Sequence, residues 1–198
     1  MTAPDESAEL LKLERNARRL ISRLAGELMA PVPRGGEVAI VSALRDVAEL
    51  LDGDHAFIYL LAGDGESVSN SHDWCRAGAT PMRELCPAWP VREARWWWQS
   101  LQGVGAICYD LRFPELFRAM GLQSLCAVAL RRDGKLLGFL GVDCVRAPRP
   151  WVAATGEVLG SIASLLTASL AARASASSQG SEVARLERME RMAGIGLW

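Results

Sequence analysis

Apolar positions along the chain follow two different periods. Up to Met29, Leu10, Leu13, Ala17, Leu20 and Leu24 step by three and four places, while Glu9, Lys12, Glu14, Arg15, Arg18, Arg19 and Arg23 occupy the other faces. That spacing predicts an amphipathic helix from about Asp5 to Met29 with a coiled-coil-like seam. At 1.5 Å per residue it runs about 37 Å, more than one face of a small domain needs. Pro31, Pro33, Gly35 and Gly36 end it. A second helix, Glu37 to Leu51, sets Val38, Val41, Leu44, Val47, Ala48 and Leu51 on one side and stops at Asp52-Gly53-Asp54.

Beyond Asp54 the period shortens. The run Ala56 to Leu61, the turn Gly63-Asp64-Gly65 and the alternation Val68 to Cys75 predict a hairpin. Its second strand puts Val68, Asn70, His72 and Trp74 on one face and Ser69, Ser71, Asp73 and Cys75 on the other. Arg76 to Pro90, with Gly78, Pro81, Pro87 and Pro90, reads as a long irregular connection, a kind of ordered loop that often carries function. A short helix from Arg92 to Leu101 carries Trp96-Trp97-Trp98; Gly105 to Tyr109 reads as a strand and Pro114 to Met120 as a short helix. Next come two apolar runs, Ser124 to Leu130 and Lys135 to Val145, joined through Asp133-Gly134. An Asp-Gly turn between such runs is the strongest short-range hairpin signal, and their nearly continuous apolarity predicts strands covered on both faces. A helix from Trp151 to about Ala172 follows, then Ser175 to Ser181 as a linker, then a polar helix from Glu182 to Ala193. The order gives an α+β fold, a central antiparallel sheet of about six strands flanked by helices.

Composition narrows the function classes. A length of 198 residues allows one fair-sized domain with extensions. With 22 basic and 23 acidic side chains the net charge is -1, which excludes the basic excess that non-specific nucleic-acid binding or an anionic membrane surface demands. The N-terminus is acidic where a secretory signal is basic, and Val158 to Ala172, interrupted by Ser and Thr, is too short to span a bilayer. The expectation is a cytoplasmic protein with no membrane segment. Five cysteines (Cys75, Cys86, Cys108, Cys126 and Cys144) form no CxxC pair and lie in or beside apolar runs, which predicts buried free thiols rather than disulfides or zinc.

From Glu37 to Ala172 the chain resembles a GAF domain of bacterial signalling proteins, the subgroup found in sensor histidine kinases and cyclic-di-GMP synthases and hydrolases. The resemblance rests on Asp54-His-Ala-Phe-Ile-Tyr59, Ser69-Asn-Ser-His-Asp-Trp-Cys75, the Trp96-Trp97 helix and Leu125 to Asp143. Leu186 to Trp198 is similar to the entry of a PAS domain. The implied organisation is a signalling helix over 1–31, a GAF domain over 32–172, and a linker and helix over 173–198 leading to a further domain. It also implies a regulatory module without catalysis of its own, whose N- and C-terminal helices form a bundle across a homodimer through Leu10, Leu13, Leu20 and Leu24 and relay a signal to a covalently linked output domain. Packing of the first helix on its own domain is the alternative.

A small-molecule pocket is expected between the sheet and the 76–90 loop, with Tyr59, Asn70, His72, Trp74, Arg92, Trp97 and Asp143 as candidates. Three consecutive tryptophans span about 200 degrees of a helix, so Trp96, Trp97 and Trp98 cannot all face one pocket; Trp97 is expected to point inward with Leu101. Among the chain's 2 histidines, His72 reads as a structural hydrogen-bonding residue and His55 as lying before the first strand, so no metal site is expected. Some GAF domains attach a linear tetrapyrrole through cysteine, but neither Cys75 nor Cys86 is followed by histidine. No cofactor, bilin or heme, is therefore expected. For a cyclic nucleotide, Arg92, Arg95, Asn70 and Asp143 are of the right kinds, but the phosphodiesterase string Asn-Lys-x-x-Phe-Asp-Glu is absent. Two further readings stand beside the sensor: a ligand-free dimerisation and relay module, and an enzyme like the free methionine-R-sulfoxide reductases, for which Cys75, Cys86 and Cys108 would have to converge.

Overall fold

The computed structural model describes residues 6–29, 36–103, 106–109 and 115–193, with 177–193 as backbone. Six strands, β1 (His55–Leu61), β2 (Ser67–Cys75), β3 (Ala88–Pro90), β4 (Ala106–Tyr109), β5 (Ser124–Arg132) and β6 (Lys135–Cys144), form one sheet in the order β3-β2-β1-β6-β5-β4. All neighbours are antiparallel. Helices α1 (Glu6–Met29) and α2 (Gly36–Leu51) precede the sheet, α3 (Met82–Leu85), α4 (Arg95–Gly103) and α5 (Glu115–Ala119) interrupt it, and α6 (Ala153–Ala193) follows it. A 3-10 turn, Val91–Ala94, leads into α4.

The β5–β6 hairpin forms where Asp133 and Gly134 both take positive φ, 50° and 76°. Such a pair matches the twist of the strands on either side. β1 then lies along β6, with Leu60 opposite Gly138 and Phe57 opposite Gly141. A Cβ on Gly138 would strike the Tyr59 backbone, and one on Gly141 the Phe57 ring. The glycine spacing in β6 is therefore the room that β1 requires.

Each face of the sheet carries its own core. Ile58, Cys126, Val128, Leu140 and Val142 pack beneath α1, α2 and α6. Phe57, Tyr59, Val68, Leu125 and Phe139 pack with Met82, Trp89, Trp97, Trp98 and Phe117 on the opposite face.

Five expectations change. First, the segment read as a linker is helical, and α6 runs unbroken from Ala153 to Ala193. Ser175 to Ser181 is built from Ser, Ala, Gln and one Gly; without proline no backbone group is removed and the helix carries on. The PAS-like string at Leu186 falls on the end of this helix, and 194–198 lie outside the described residues. Second, the stretch Ala153–Ala176 is long and apolar enough to cross a membrane by length and composition, although Leu159, Ile162, Ala163 and Leu166 serve the domain's own core. Third, the α1 seam is largely used within the chain. Ala17, Leu20, Leu24 and Leu28 are buried in the helix-side core, Arg23 pairs with Asp46 of α2 at 2.9 Å, and the Ser169 hydroxyl donates to the Leu28 carbonyl at 3.2 Å. Leu20 and Leu24 are thus covered by the protein's own helices rather than offered to a second copy, Leu13 is half-buried, and Leu10 and Leu11 remain exposed. Fourth, Cys108 and Cys126 form a disulfide. Their direct opposition in β4 and β5 is a matter of register, which spacing along the chain does not reveal. Fifth, a bulge in β2 rearranges that strand's faces, with consequences for the site.

Candidate functional site

At one end of the sheet His55, the first residue of β1, stands directly opposite Asp143 of β6. Its Nδ1 is 2.6 Å from Asp143 Oδ1 and its Nε2 3.0 Å from the Thr80 carbonyl. A carbonyl only accepts, so Nε2 carries a proton, and a second proton is shared between Nδ1 and the carboxyl. Both side chains are essentially without solvent exposure, 1% and 0%. Burial by itself lowers the His55 pKa, but the hydrogen bond and charge of Asp143 outweigh it and the histidine stands above its ordinary value. Burial likewise pushes the Asp143 carboxyl up. The pair ties β1 and β6 to the 76–81 loop. Next to it, burial raises the Asp54 carboxyl, but the Arg146 and Val145 backbone N–H groups and the Arg146 guanidinium hold it below the usual carboxylate range. Arg76, Arg146 and Arg149 close this end over Asp52.

Away from that end the face opposite the long helices is aromatic. Phe139 sits at its centre, with the ring centroids of Phe57, Tyr59, Trp89, Trp97 and Trp98 between 5.3 and 6.3 Å away. Tyr59 stacks on Phe139 at 9° and donates its hydroxyl to the Cys86 carbonyl at 2.5 Å. Its burial raises the phenol pKa, so it stays a neutral donor. The indole nitrogens of Trp89 and Trp98 are buried without a hydrogen-bond partner, and the Asn70 side chain lies against the Tyr59 hydroxyl. Buried donors left so are costly, about 1–3 kcal/mol each.

The structure divides the candidate residues. The register of β2 shifts between the partners of Ile58 and Tyr59, so that Ile58 pairs with His72 and Tyr59 with Asn70. Paired residues share a face, which places Asn70 with Tyr59 on the aromatic side and His72 with Ile58 on the helix side. Trp74 packs into the helix-side core. The expectation that Asn70, His72 and Trp74 line one face assumed unbroken alternation, and the extra residue of the bulge breaks it. Burial lowers the His72 pKa, and its ring Nδ1 lies 2.9 Å from the Ser71 hydroxyl. Trp97 is fully buried on the aromatic side with Leu101. Arg92 is exposed on the 3-10 turn, and Asp143 is engaged by His55. The cysteines do not converge: Cys86 belongs to the aromatic core, whereas Cys126, to which Cys108 is bonded, belongs to the helix-side core. Sequence reasoning missed His55; its signal was the register, since aligning β1 beside β6 sets it against the lone carboxylate of an apolar strand.

Residues 37–170 match the GAF domain family. The chain belongs to that family. No curated protein sequence matches the chain. Among solved structures, this GAF domain is similar to a far-red absorbing dark state with bound biliverdin IXa, at TM-score 0.63 and 17% identity over 76% of this chain and 97% of that one. It is also similar to the phycoerythrobilin-bound GAF domain of a cyanobacterial phytochrome, at TM-score 0.66 and 16% identity over 80% and 96%. A third similarity is to the chromophore-binding domain of the bacteriophytochrome RpBphP3 from R. palustris, at TM-score 0.66 and 16% identity; the match takes in 83% of this chain but 63% of that larger protein. These likenesses establish the fold. They also correct the expectation of no cofactor, because GAF domains of this shape hold biliverdin and phycoerythrobilin. A cysteine followed by histidine is too narrow a test: a pocket can hold a planar group by stacking and hydrogen bonds without a thioether.

Proposed function

We propose that this GAF domain is a sensory module whose aromatic face takes a planar conjugated ligand of the bilin class. The observation that carries the reading is the ring cluster around Phe139 together with the buried, unpartnered donors Trp89 Nε1 and Trp98 Nε1. This donor set fits a flat ligand rimmed with carbonyl and carboxylate oxygens. Trp89 and Trp98 would supply ring contact and N–H donors. Such a group supplies absorption of visible light. Attachment would be noncovalent, since burial raises both the Cys75 and the Cys86 thiols and leaves neither activated.

In this reading the domain is not an enzyme and works in the cytoplasm. It passes its state through α6 to a covalently linked output domain such as a kinase or a cyclic-di-GMP enzyme, and it pairs with a second copy through the exposed N-terminal part of α1, where Leu10 and Leu11 lie open. The test is an absorption titration of the purified chain with biliverdin and with phycocyanobilin. A saturable, shifted visible band is expected, and its absence with both tetrapyrroles overturns the ligand class. One observation favours a second reading, a ligand-free relay module: Tyr59 and Trp97 are 0% exposed and Phe139 1%, so the protein's own rings fill the face. Absence of any thermal shift across tetrapyrroles, nucleotides and small metabolites would favour it.

A further inference from the structure

We propose that Cys108 and Cys126 form a reversible redox site whose state is read by α6. The two residues are direct cross-strand partners in β4 and β5, with Cα atoms 4.1 Å apart. They differ sharply in access. Cys108 is exposed, whereas Cys126 is fully buried in the core beneath α6. A small thiol can therefore reach one sulfur and not the other. β4 is the last strand of the sheet and pairs with β5 alone over four residues, so the covalent link adds to that short ladder and to the packing of Ala106 and Ile107 in holding it.

The same strand forms part of the floor for the start of α6. Gly156, in the first turn of that helix, lies so close to β4 that a Cβ there would strike the Cβ of Ala106. From this point α6 continues to Ala193. A change in how β4 is held thus meets the helix at the end from which it leaves the sheet.

The chemistry is thiol–disulfide exchange with a small thiol of the glutathione class. Its thiolate attacks Sγ of Cys108, forming a mixed disulfide while the Sγ–Sγ bond breaks and Cys126 leaves as a thiolate that takes up a proton. A second thiol attacks the mixed disulfide, frees Cys108 and departs as the oxidised dimer of the reductant. Two electrons and two protons pass to the protein in total, and oxidation by the dimer reverses each step. Cys75, Cys86 and Cys144 are free thiols outside this pair.

The full chain, equilibrated in buffers of varied reduced-to-oxidised glutathione ratio, alkylated and weighed by peptide mass spectrometry, tests the proposal. Cys108 and Cys126 are expected to become labelled together in one two-electron step, with Cys75, Cys86 and Cys144 unchanged. Amide hydrogen exchange over 153–165 is expected to rise at least threefold on reduction. A Cys108→Ser variant should show the faster exchange at every ratio. If that variant does not fold, the wild-type protein measured at the two extremes gives the same readout. A pair that stays bonded or stays reduced across the whole range overturns the proposal, as does exchange in α6 that is the same in both states.

Discussion

The two faces of the sheet are served by the same strands yet solve different problems. On the helix side Ile58, Val128, Leu140 and Val142 meet aliphatic residues of α1, α2 and α6. Methyl-lined interfaces of this kind are satisfied by close packing alone. On the other side five rings gather around Phe139, and the indole N–H groups of Trp89 and Trp98 are left without partners. The contrast sets a close-packed aliphatic face against an aromatic face, the one proposed above to take a ligand.

Substitutions separate the two roles, and the largest effect lies where the faces meet. Gly138→Ala drives a Cβ into the Tyr59 backbone between β6 and β1; destabilisation of about 3 kcal/mol or more is expected in urea melts, affecting both faces at once. Leu44→Ala removes a fully buried side chain from the helix face and should cost about 3 kcal/mol, with tetrapyrrole affinity of the folded fraction unchanged. Trp98→Phe on the opposite face keeps most of the ring volume and should stay within about 1.5 kcal/mol of wild type, while biliverdin affinity falls about tenfold through loss of one donor. Equal effects of Leu44→Ala and Trp98→Phe on affinity would erase the distinction.

The polar end of the sheet makes a pH prediction. The folded-state pKa of His55 is raised above its unfolded value near 6.5, so above that value the folded pair holds a proton that the unfolded chain has released. Stability is therefore complete below about pH 6.5 and declines as pH climbs through the folded pKa. Melting temperature should fall across the neutral-to-alkaline range, and His55→Gln should flatten that slope. The smallest effect is expected at the rim, where Arg149→Ala removes an exposed pairing with Asp52 worth under about 0.5 kcal/mol.

Much of this architecture is legible in the sequence, because period and turn chemistry are local. The Asp133-Gly134 turn gives the β5–β6 hairpin, and the step of α2 gives Leu44, Val47, Ala48 and Leu51 as buried, although Val38, expected on that side, is exposed and Ile40 and Ala43 are buried instead. What local pattern conceals is register. A single extra residue in β2 sends His72 and Trp74 to the helix side while Asn70 stays with Tyr59. The His55–Asp143 pair and the Cys108–Cys126 bond join residues far apart in the chain that meet only as cross-strand partners. The α1 seam has the same ambiguity, since a stripe of leucines suits a second copy or the chain's own helices equally, and here Leu20 and Leu24 are covered by the latter.

Tryptophan side chains sample both faces and so permit one decisive measurement. Trp89, Trp97 and Trp98 lie in the aromatic core, whereas Trp74 and Trp151 pack against the helix-side core. In an indole-labelled sample followed by NMR during addition of biliverdin, the N–H signals of Trp89, Trp97 and Trp98 should move or broaden while those of Trp74 and Trp151 stay in place. Shifts confined to Trp74 and Trp151, or equal shifts on both faces, would contradict the assignment of the ligand to the aromatic side.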